Sequence, residues 1–313
     1  MKIGFIGLGN VGGKLAGSLF RNKFDLTVYD LDKNVTDKFK SKGIKIKNSV
    51  SEIVKEVDVV ITCLPSPKIC SDVMLSENGI LKNISKGKIW IEMSTTDQKD
   101  IIKLGNLVKK KGATPLEAPV SGGCHRAATG NIAIFVGGER NAFDRVLPIL
   151  TCMGKKILYV GELGSASILK VITNYLASVN LAALGEAWTI AKKNNLDLKK
   201  TYDGIKISSG NSFVHETESQ VILNGSYNIN FTMDLVEKDM SLFNKLSKDE
   251  DIELEIAPFV LNIFKDAKKK FGSRAWSSMV VKRLEDKYDI NFREKGFPEE
   301  LIDTEPEEKG KEI

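Results

Sequence analysis

The stretch KIGFIGLGNVGGKLAGSLF, residues 2–20, constrains the fold more than any other part of the chain. A short apolar strand pattern runs straight into Gly7, Gly9 and Gly12 in G-x-G-x-x-G spacing, and a helical pattern follows. The first glycine allows a tight turn, the second lets a pyrophosphate approach the backbone, and the third lets helix pack on strand. Phosphates then sit at the helix N-terminus, where unpaired N–H groups and the helix dipole favour anions. The loop Gly7, Leu8, Gly9, Asn10, Val11 and Gly12 is therefore expected to hold a dinucleotide. Asp30 closes the next strand pattern, 18 residues beyond Gly12, where a carboxylate accepts hydrogen bonds from a ribose diol and repels a 2′-phosphate. No arginine follows in YDLDKN and Asp32 adds a second negative charge, so NAD is expected over NADP. Lys33 is the one residue there that favours a phosphate.

The rest of the first half alternates strand and helix signals. The runs 2–6, 26–30, 57–64, 88–94, 114–120, 132–138 and 157–161 are short and apolar or β-branched. Between them lie amphipathic stretches such as 97–112, with Ile101, Leu104 and Val108 on one stripe. That order predicts an α/β domain with a doubly wound, mostly parallel sheet of the Rossmann type, covered on both faces. A chain of 313 residues exceeds the roughly 250–300 at which single cores stop growing, so a second domain is expected. After Gly164 the strand signal ends. Residues 165–194 read as one helix of about 45 Å, followed by helical patterns at about 199–208, 212–223, 232–248 and 254–271. The expected division is a dinucleotide-binding domain over 1–162, an all-α domain for substrate and oligomer contacts over 163–300, and a charged tail over 301–313. The tail, which includes DTEPEEKGKEI, lacks apolar anchors and is expected to fray.

Composition narrows the partners. The net charge of +5 is spread among mixed acids and bases, and no basic run is interleaved with aromatics, which argues against nucleic acid. It suits small anionic molecules. No uninterrupted apolar run approaches the ~20 residues of a membrane span, and the opening glycines do not fit a signal peptide, so a cytoplasmic protein is expected. Cys63, Cys70, Cys124 and Cys152 form no C-x-x-C pair and the only histidines are His125 and His215, so no metal site is expected and the thiols are expected to be reduced.

In the second half, LGSASILKVITNY places Lys170 among Ile168, Leu169, Val171 and Ile172. Burying an unpaired charge is costly, so either this lysine snorkels from a helix rim or its proton is used. Asn174 lies four residues on, hence on the same helical face, and an ammonium beside a carboxamide can hold one hydroxyl or carbonyl oxygen. Ser121, Gly122 and Gly123 follow a strand pattern, where a hydroxyl and exposed N–H groups can hold a carboxylate; a plain turn is the alternative. Lys238 and Asp239 lie on another amphipathic helix, as a site or as a solvated pair.

Together these segments resemble the β-hydroxyacid dehydrogenase family, the group that includes 3-hydroxyisobutyrate dehydrogenase, over about residues 1–270. GLGNVGGKLAGSLF resembles its cofactor loop GLGxMGxxMAxNL. EAPVSGGCHRAATG resembles its substrate motif DAPVSGGxxxAxxG, with Glu117 in place of Asp. GELGSASILKVITN is similar to its catalytic motif GxxGxGxxxKxxxN, with Ala166 at the third glycine, and KDMSLF is similar to KDxxLA. The resemblance implies that Lys170 is the acid–base and Asn174 its substrate-positioning neighbour. It implies that Ser121, Gly122 and Gly123 bind the substrate carboxylate, that Leu64, Pro65 and Thr95 flank the cofactor, and that Lys238 lines the pocket while Asp239 orients its helix.

The activity so implied is reversible NAD-dependent oxidation of the primary hydroxyl of a short 3-hydroxy acid to its semialdehyde. Two alternatives stand beside it: a reductase of a sulfonate or dicarboxylate semialdehyde, and a non-catalytic NAD-binding module. The first is suggested by His125 and Arg126, since Arg126 can clamp a second acidic group; an outward-facing arginine is the other reading. Asn211, Ser212 and His215 are candidate selectivity residues, and segment 273–288, with Trp276, has no counterpart in the motifs. A homodimer or homotetramer is expected.

Overall fold

The structure, a computed structural model, describes residues 1–313 and divides into two compact units: Met1–Lys170 with Asp303–Ile313, and Val171–Ile302. The first unit opens with β1 (Lys2–Ile6), α1 (Gly12–Arg21), β2 (Asp25–Tyr29), α2 (Lys33–Lys40), β3 (Lys45–Ile46), α3 (Val50–Glu56) and β4 (Val59–Thr62). It continues through α4 (Pro67–Leu75), α5 (Ile80–Asn83), β5 (Ile89–Glu92), α6 (Gln98–Lys110), β6 (Thr114–Glu117) and β7 (Val120–Ser121). The helices α7 (Gly123–Thr129) and α8 (Arg140–Met153) then alternate with β8 (Ile132–Gly138) and β9 (Gly154–Gly161).

The strands form one sheet in the order β10-β9-β8-β6-β5-β4-β1-β2-β3, where β10 is Lys311–Glu312. Neighbours from β3 to β6 are parallel. β8 runs antiparallel to β6, and β9 and β10 run parallel to β8. The near-continuous apolar strands reflect burial on both faces. Val59 and Ile61 enter one core layer with Ile3, Phe5, Ile89 and Ile91, while Val60 and Trp90 enter the other with Ile6 and Ile101. Successive side chains of a strand point to opposite faces, so a strand between two helical layers keeps no polar side. Each fully buried aliphatic side chain of this kind contributes about 1.5–3 kcal/mol.

The second unit is all-α. Helix α9 (Ser165–Lys193) begins in the first unit and continues into the second, where α10 (Leu198–Lys206), α11 (Phe213–Asn224), α12 (Met233–Asp249), α13 (Ile256–Phe271) and α14 (Met279–Tyr288) follow. Leu181, Leu184 and Trp188 of α9 join a core with Tyr202, Ile222, Met240, Phe264, Val281 and Phe292. Although no uninterrupted apolar run is long, α9 as a whole is long and apolar enough to cross a membrane, with a mean hydropathy of 1.3 over its most apolar window. It carries a buried Lys170, and its Trp188 face packs into the helical core, as the spine of a folded domain does.

Two expectations are corrected. The first unit extends to Lys170, not 162, because the start of α9 is hydrogen-bonded to the sheet. The tail does not fray. It returns to the first unit, where β10 pairs with β9 and Gly310 donates from its backbone to Thr151. Its acids meet bases scattered over the first 155 residues: Glu305 pairs with Arg126 and Lys155, Glu307 with Arg21, and Glu312 with Arg140 through two bonds of 2.6 and 2.8 Å. Charge holds this strand where apolar anchors are lacking.

Candidate active site

The dinucleotide loop lies where the strand order of an open sheet predicts a crevice. β1 has β2 on one side and β4 on the other, so the chain reverses its direction of growth there, at the carboxyl ends of the strands. Gly7 has φ +94°, a left-handed conformation that favours glycine, and a side chain on it would collide with the Cys63 carbonyl. A side chain on Gly12 would strike the Gly7 carbonyl, which sets how closely α1 approaches β1. At Gly9 an added carbon would meet nothing within 4 Å, the open approach a pyrophosphate needs. Asp30 directly follows β2, and its carboxylate accepts from Leu8 N at 2.6 Å and Asp32 N at 2.9 Å, so it is fixed against the glycine loop. The residues present fit a dinucleotide: an open glycine, a helix N-terminus and a carboxylate. Asp32 caps α2 through Asn34 N, and Lys33 is exposed.

The loops carrying Leu64, Pro65 and Thr95 follow β4 and β5. They are tied together by Ser94, whose hydroxyl accepts from Leu64 N at 2.7 Å while its N–H donates to Glu92 Oε1 at 2.7 Å. Glu92 is wholly buried, and its Oε2 accepts from Thr62 Oγ1 and Cys70 Sγ, both at 2.7 Å. Trp90 Nε1 donates to the same threonine. Burial pushes the Glu92 carboxyl and the Cys70 thiol up from their ordinary ranges. Sequence reading missed Glu92; its one signal was an acid at the end of a buried strand.

Ser121 ends β7 opposite Ala133 of β8. Gly122 and Gly123, with φ +130° and +87°, turn the chain into α7. The stem of Arg126 lies over the Gly122 α-carbon, but its guanidinium is ion-paired to Glu305 at 2.9 Å. Of the two orientations open for Arg126, the structure thus records the one tied to the tail. His125, half-buried beside Gly123, is held below the usual imidazole range by burial and by Arg126. At the start of α9, Glu117 Oε1 accepts from Gly164 N at 2.6 Å and Ala166 N at 2.9 Å, and its Oε2 accepts from Ser167 N at 3.0 Å and from the Ser167 hydroxyl. Lys170, one turn farther along, is 7% exposed: it does not snorkel.

In the helical unit, Asn174 lies one turn beyond Lys170 on the same continuous helix, and its Nδ2 donates to Asp239 Oδ2 at 2.5 Å. Asp239 is buried, and Lys238 Nζ lies 2.9 Å from its Oδ1. The acid expected to orient its own helix thus also orients the Asn174 carboxamide. Trp276 lies in segment 275–277, whose backbone bonds to Phe231 and Met233 and so fixes the start of α12, the helix of Lys238. Asn211 Nδ2 bonds Glu216, and Ser212 caps α11. His215 is buried in the helical core: Nε2 donates to the Tyr202 carbonyl, Nδ1 faces the Ser219 hydroxyl, and Trp188 Nε1 donates to that hydroxyl. Its ring is committed to packing, a role signalled only by the i, i+4 spacing to Ser219.

Residues 2–161 match the family described as the NAD binding domain of 6-phosphogluconate dehydrogenase, and residues 164–284 match that described as NAD-binding of NADP-dependent 3-hydroxyisobutyrate dehydrogenase. The chain is 34% identical over 247 residues to the mitochondrial 3-hydroxyisobutyrate dehydrogenase of Rattus norvegicus, covering 77% of this chain and 74% of the relative. It is 29% identical to 2-(hydroxymethyl)glutarate dehydrogenase of Eubacterium barkeri, covering 90% and 94%. A crystal structure of 3-hydroxyisobutyrate dehydrogenase from Salmonella typhimurium superposes with a TM-score of 0.83 at 26% identity, over 90% of this chain and 99% of that one.

Proposed function

Since the chain belongs to the β-hydroxyacid dehydrogenase family, as oxidoreductases acting on a CH–OH group with a nicotinamide cofactor, we propose that it oxidises the primary hydroxyl of a short 3-hydroxy acid to its semialdehyde, reversibly and with NAD. The observation that most supports this reading is a buried lysine one helical turn before a carboxamide whose orientation is set by a buried carboxylate.

When bound, the dinucleotide supplies the hydride acceptor. Lys170 in its neutral form takes the hydroxyl proton during oxidation, and its ammonium form returns the proton during reduction. Asn174 holds the reacting oxygen. Ser121 and the N–H groups of Gly122 and Gly123 hold the carboxylate, which fixes how far the substrate reaches; such orientation supplies several kcal/mol, roughly, of the barrier reduction. Preference for NAD is supported by Asp30, fixed beside the glycine loop, and by the absence of an arginine in residues 29–34.

The test is the appearance of reduced-nicotinamide absorbance with NAD and a panel of 3-hydroxy acids. Turnover with 3-hydroxyisobutyrate or a close homologue is expected. Tight NAD binding with no turnover across the panel would favour the binding-module alternative. A preference for dicarboxylate or sulfonate aldehydes would favour the alternative that draws on Arg126, which must then exchange Glu305 for substrate. The likeness to 2-(hydroxymethyl)glutarate dehydrogenase supports keeping that arm in the panel.

The same proposal includes self-association. Ile172, Leu176 and Ile190, 38%, 52% and 65% exposed, lie on one stripe of α9, and a second copy is the partner that covers it. Leu176→Glu is expected to lower the mass in light scattering. A reducing, cytoplasmic setting also belongs to the proposal, in keeping with four cysteines that form no C-x-x-C pair.

A further inference from the structure

We propose that Glu117 is a positioning residue that locks the proton-carrying lysine to the substrate strand: its carboxylate is the N-terminal cap of the helix that bears Lys170. The inference rests on the reading of Lys170 given above. Its own observations are geometric. Glu117 is the last residue of β6, four before Ser121, and is wholly buried. Three backbone N–H groups of the opening of α9, from Gly164, Ala166 and Ser167, and the Ser167 hydroxyl all donate to its two oxygens.

The opening N–H groups of a helix have no partner within it and attract an anion. Here the anion comes from a strand 47 residues earlier in the chain. All three backbone partners are donors only, so the site is built for an acceptor on both oxygens, which the carboxylate provides and an amide does not.

The register of the sheet makes the contact possible. Glu117 stands opposite Gly137 on β8, and Gly137 stands opposite Gly161 on β9. A side chain on Gly137 would collide with Glu117 Oε1 and crowd the Glu162 carbonyl. The glycine therefore acts as a window through which the carboxylate reaches the helix. Two departures from the family motifs, Glu117 and Ala166, prove to be bonded to each other at 2.9 Å. One side chain thus fixes the distance from the carboxylate-holding loop to the start of the lysine helix, and Lys170 is one turn away.

The test compares Glu117→Gln, Glu117→Asp and Lys170→Ala, alone and with Glu117→Gln added to Lys170→Ala. Glu117→Gln is expected to lower kcat by about 10- to 100-fold, with KM for NAD within twofold. Loss of the anion also leaves the helix N-terminus positive toward Lys170, so the acidic limb of the kcat–pH profile is expected to move down by about half a unit. Glu117→Asp, which keeps the charge, is expected to restore the limb and part of kcat. In the Lys170→Ala background, Glu117→Gln is expected to cost nothing further. Wild-type kcat with an unmoved limb in Glu117→Gln would overturn the proposal, as would an equal loss in both backgrounds. If the Gln protein does not fold, an unaltered kcat and limb in Glu117→Asp would overturn it, and a reduced kcat with an unmoved limb would uphold it. Full turnover in Lys170→Ala alone would instead remove the premise.

Discussion

Asn174 Nδ2 donates to Asp239 Oδ2 at 2.5 Å, joining α9 to α12 within the helical unit. A carboxylate only accepts, so this bond decides which end of the carboxamide faces Asp239 and turns Oδ1 the other way. Asp239→Ala is therefore expected to reduce kcat by about 10- to 100-fold with little change in cofactor affinity. Steady-state kinetics with titration of NAD checks this. An unchanged kcat would show that Asn174 needs no such support.

Asp30 gives the second prediction. A hydrogen bond to a charged group contributes about 1.5–3 kcal/mol, so Asp30→Ala is expected to weaken NAD binding by about tenfold or more. Asp30 also accepts from Leu8 N, so the loop itself is disturbed. The ratio of NADP to NAD affinity separates the two effects: loop damage weakens both cofactors, while loss of the ribose acceptor and its repulsion raises the ratio. Equal weakening of both would contradict the assigned role.

The third concerns the tail. Its ion pairs are partly exposed, so each is worth about 0.2–1 kcal/mol and is screened by salt. Truncation after Ile302 is expected to lower the Tm by about 2–8 °C, with a smaller difference in high salt. Gly310→Ala is expected to act in the same direction, since a side chain there collides with the Gly154 carbonyl. Differential scanning calorimetry at two ionic strengths checks both.

Two groups in the helical unit, the buried His215 and the half-buried Glu218 with its Oε2 enclosed, pull stability in opposite directions with pH. Burial with no compensating partner on Oε2 pushes the Glu218 carboxyl up to about 8. Its contribution is fully present below the unfolded value of about 4.5 and is lost as pH rises through 8. His215 is lowered below 6.5, chiefly by burial, so its contribution is present above 6.5 and is lost as pH falls through the folded value. Glu218→Gln is expected to raise the Tm at pH 9 and to leave it near the parent value at pH 4. Equal melting at pH 9 would contradict the buried ionisation.

What was legible in the sequence was local. The glycine loop, Asp30 and the strand runs report on backbone conformation and on burial of both strand faces, which neighbouring residues encode. The helical second half was legible for the same reason, with boundaries within two residues for α10 to α13. The contacts that were not legible join distant segments. Nothing near Glu117 shows that Gly137 opens a path to Gly164, because that depends on the pairing of β6, β8 and β9. The tail reads as solvated because its partners, Arg21, Arg126, Arg140 and Lys155, are dispersed among unrelated elements. His215 was singled out for its chemistry, and its burial followed from the orientation of α11, which the weak periodicity of that helix does not reveal.

The central claim is that the buried Lys170 carries the proton, and turnover by Lys170→Ala tests it most directly. With saturating NAD and the best hydroxy acid of the panel, kcat is expected to fall by about 100- to 10,000-fold while NAD affinity stays within twofold. Turnover near the parent rate, with NAD affinity intact, would contradict it.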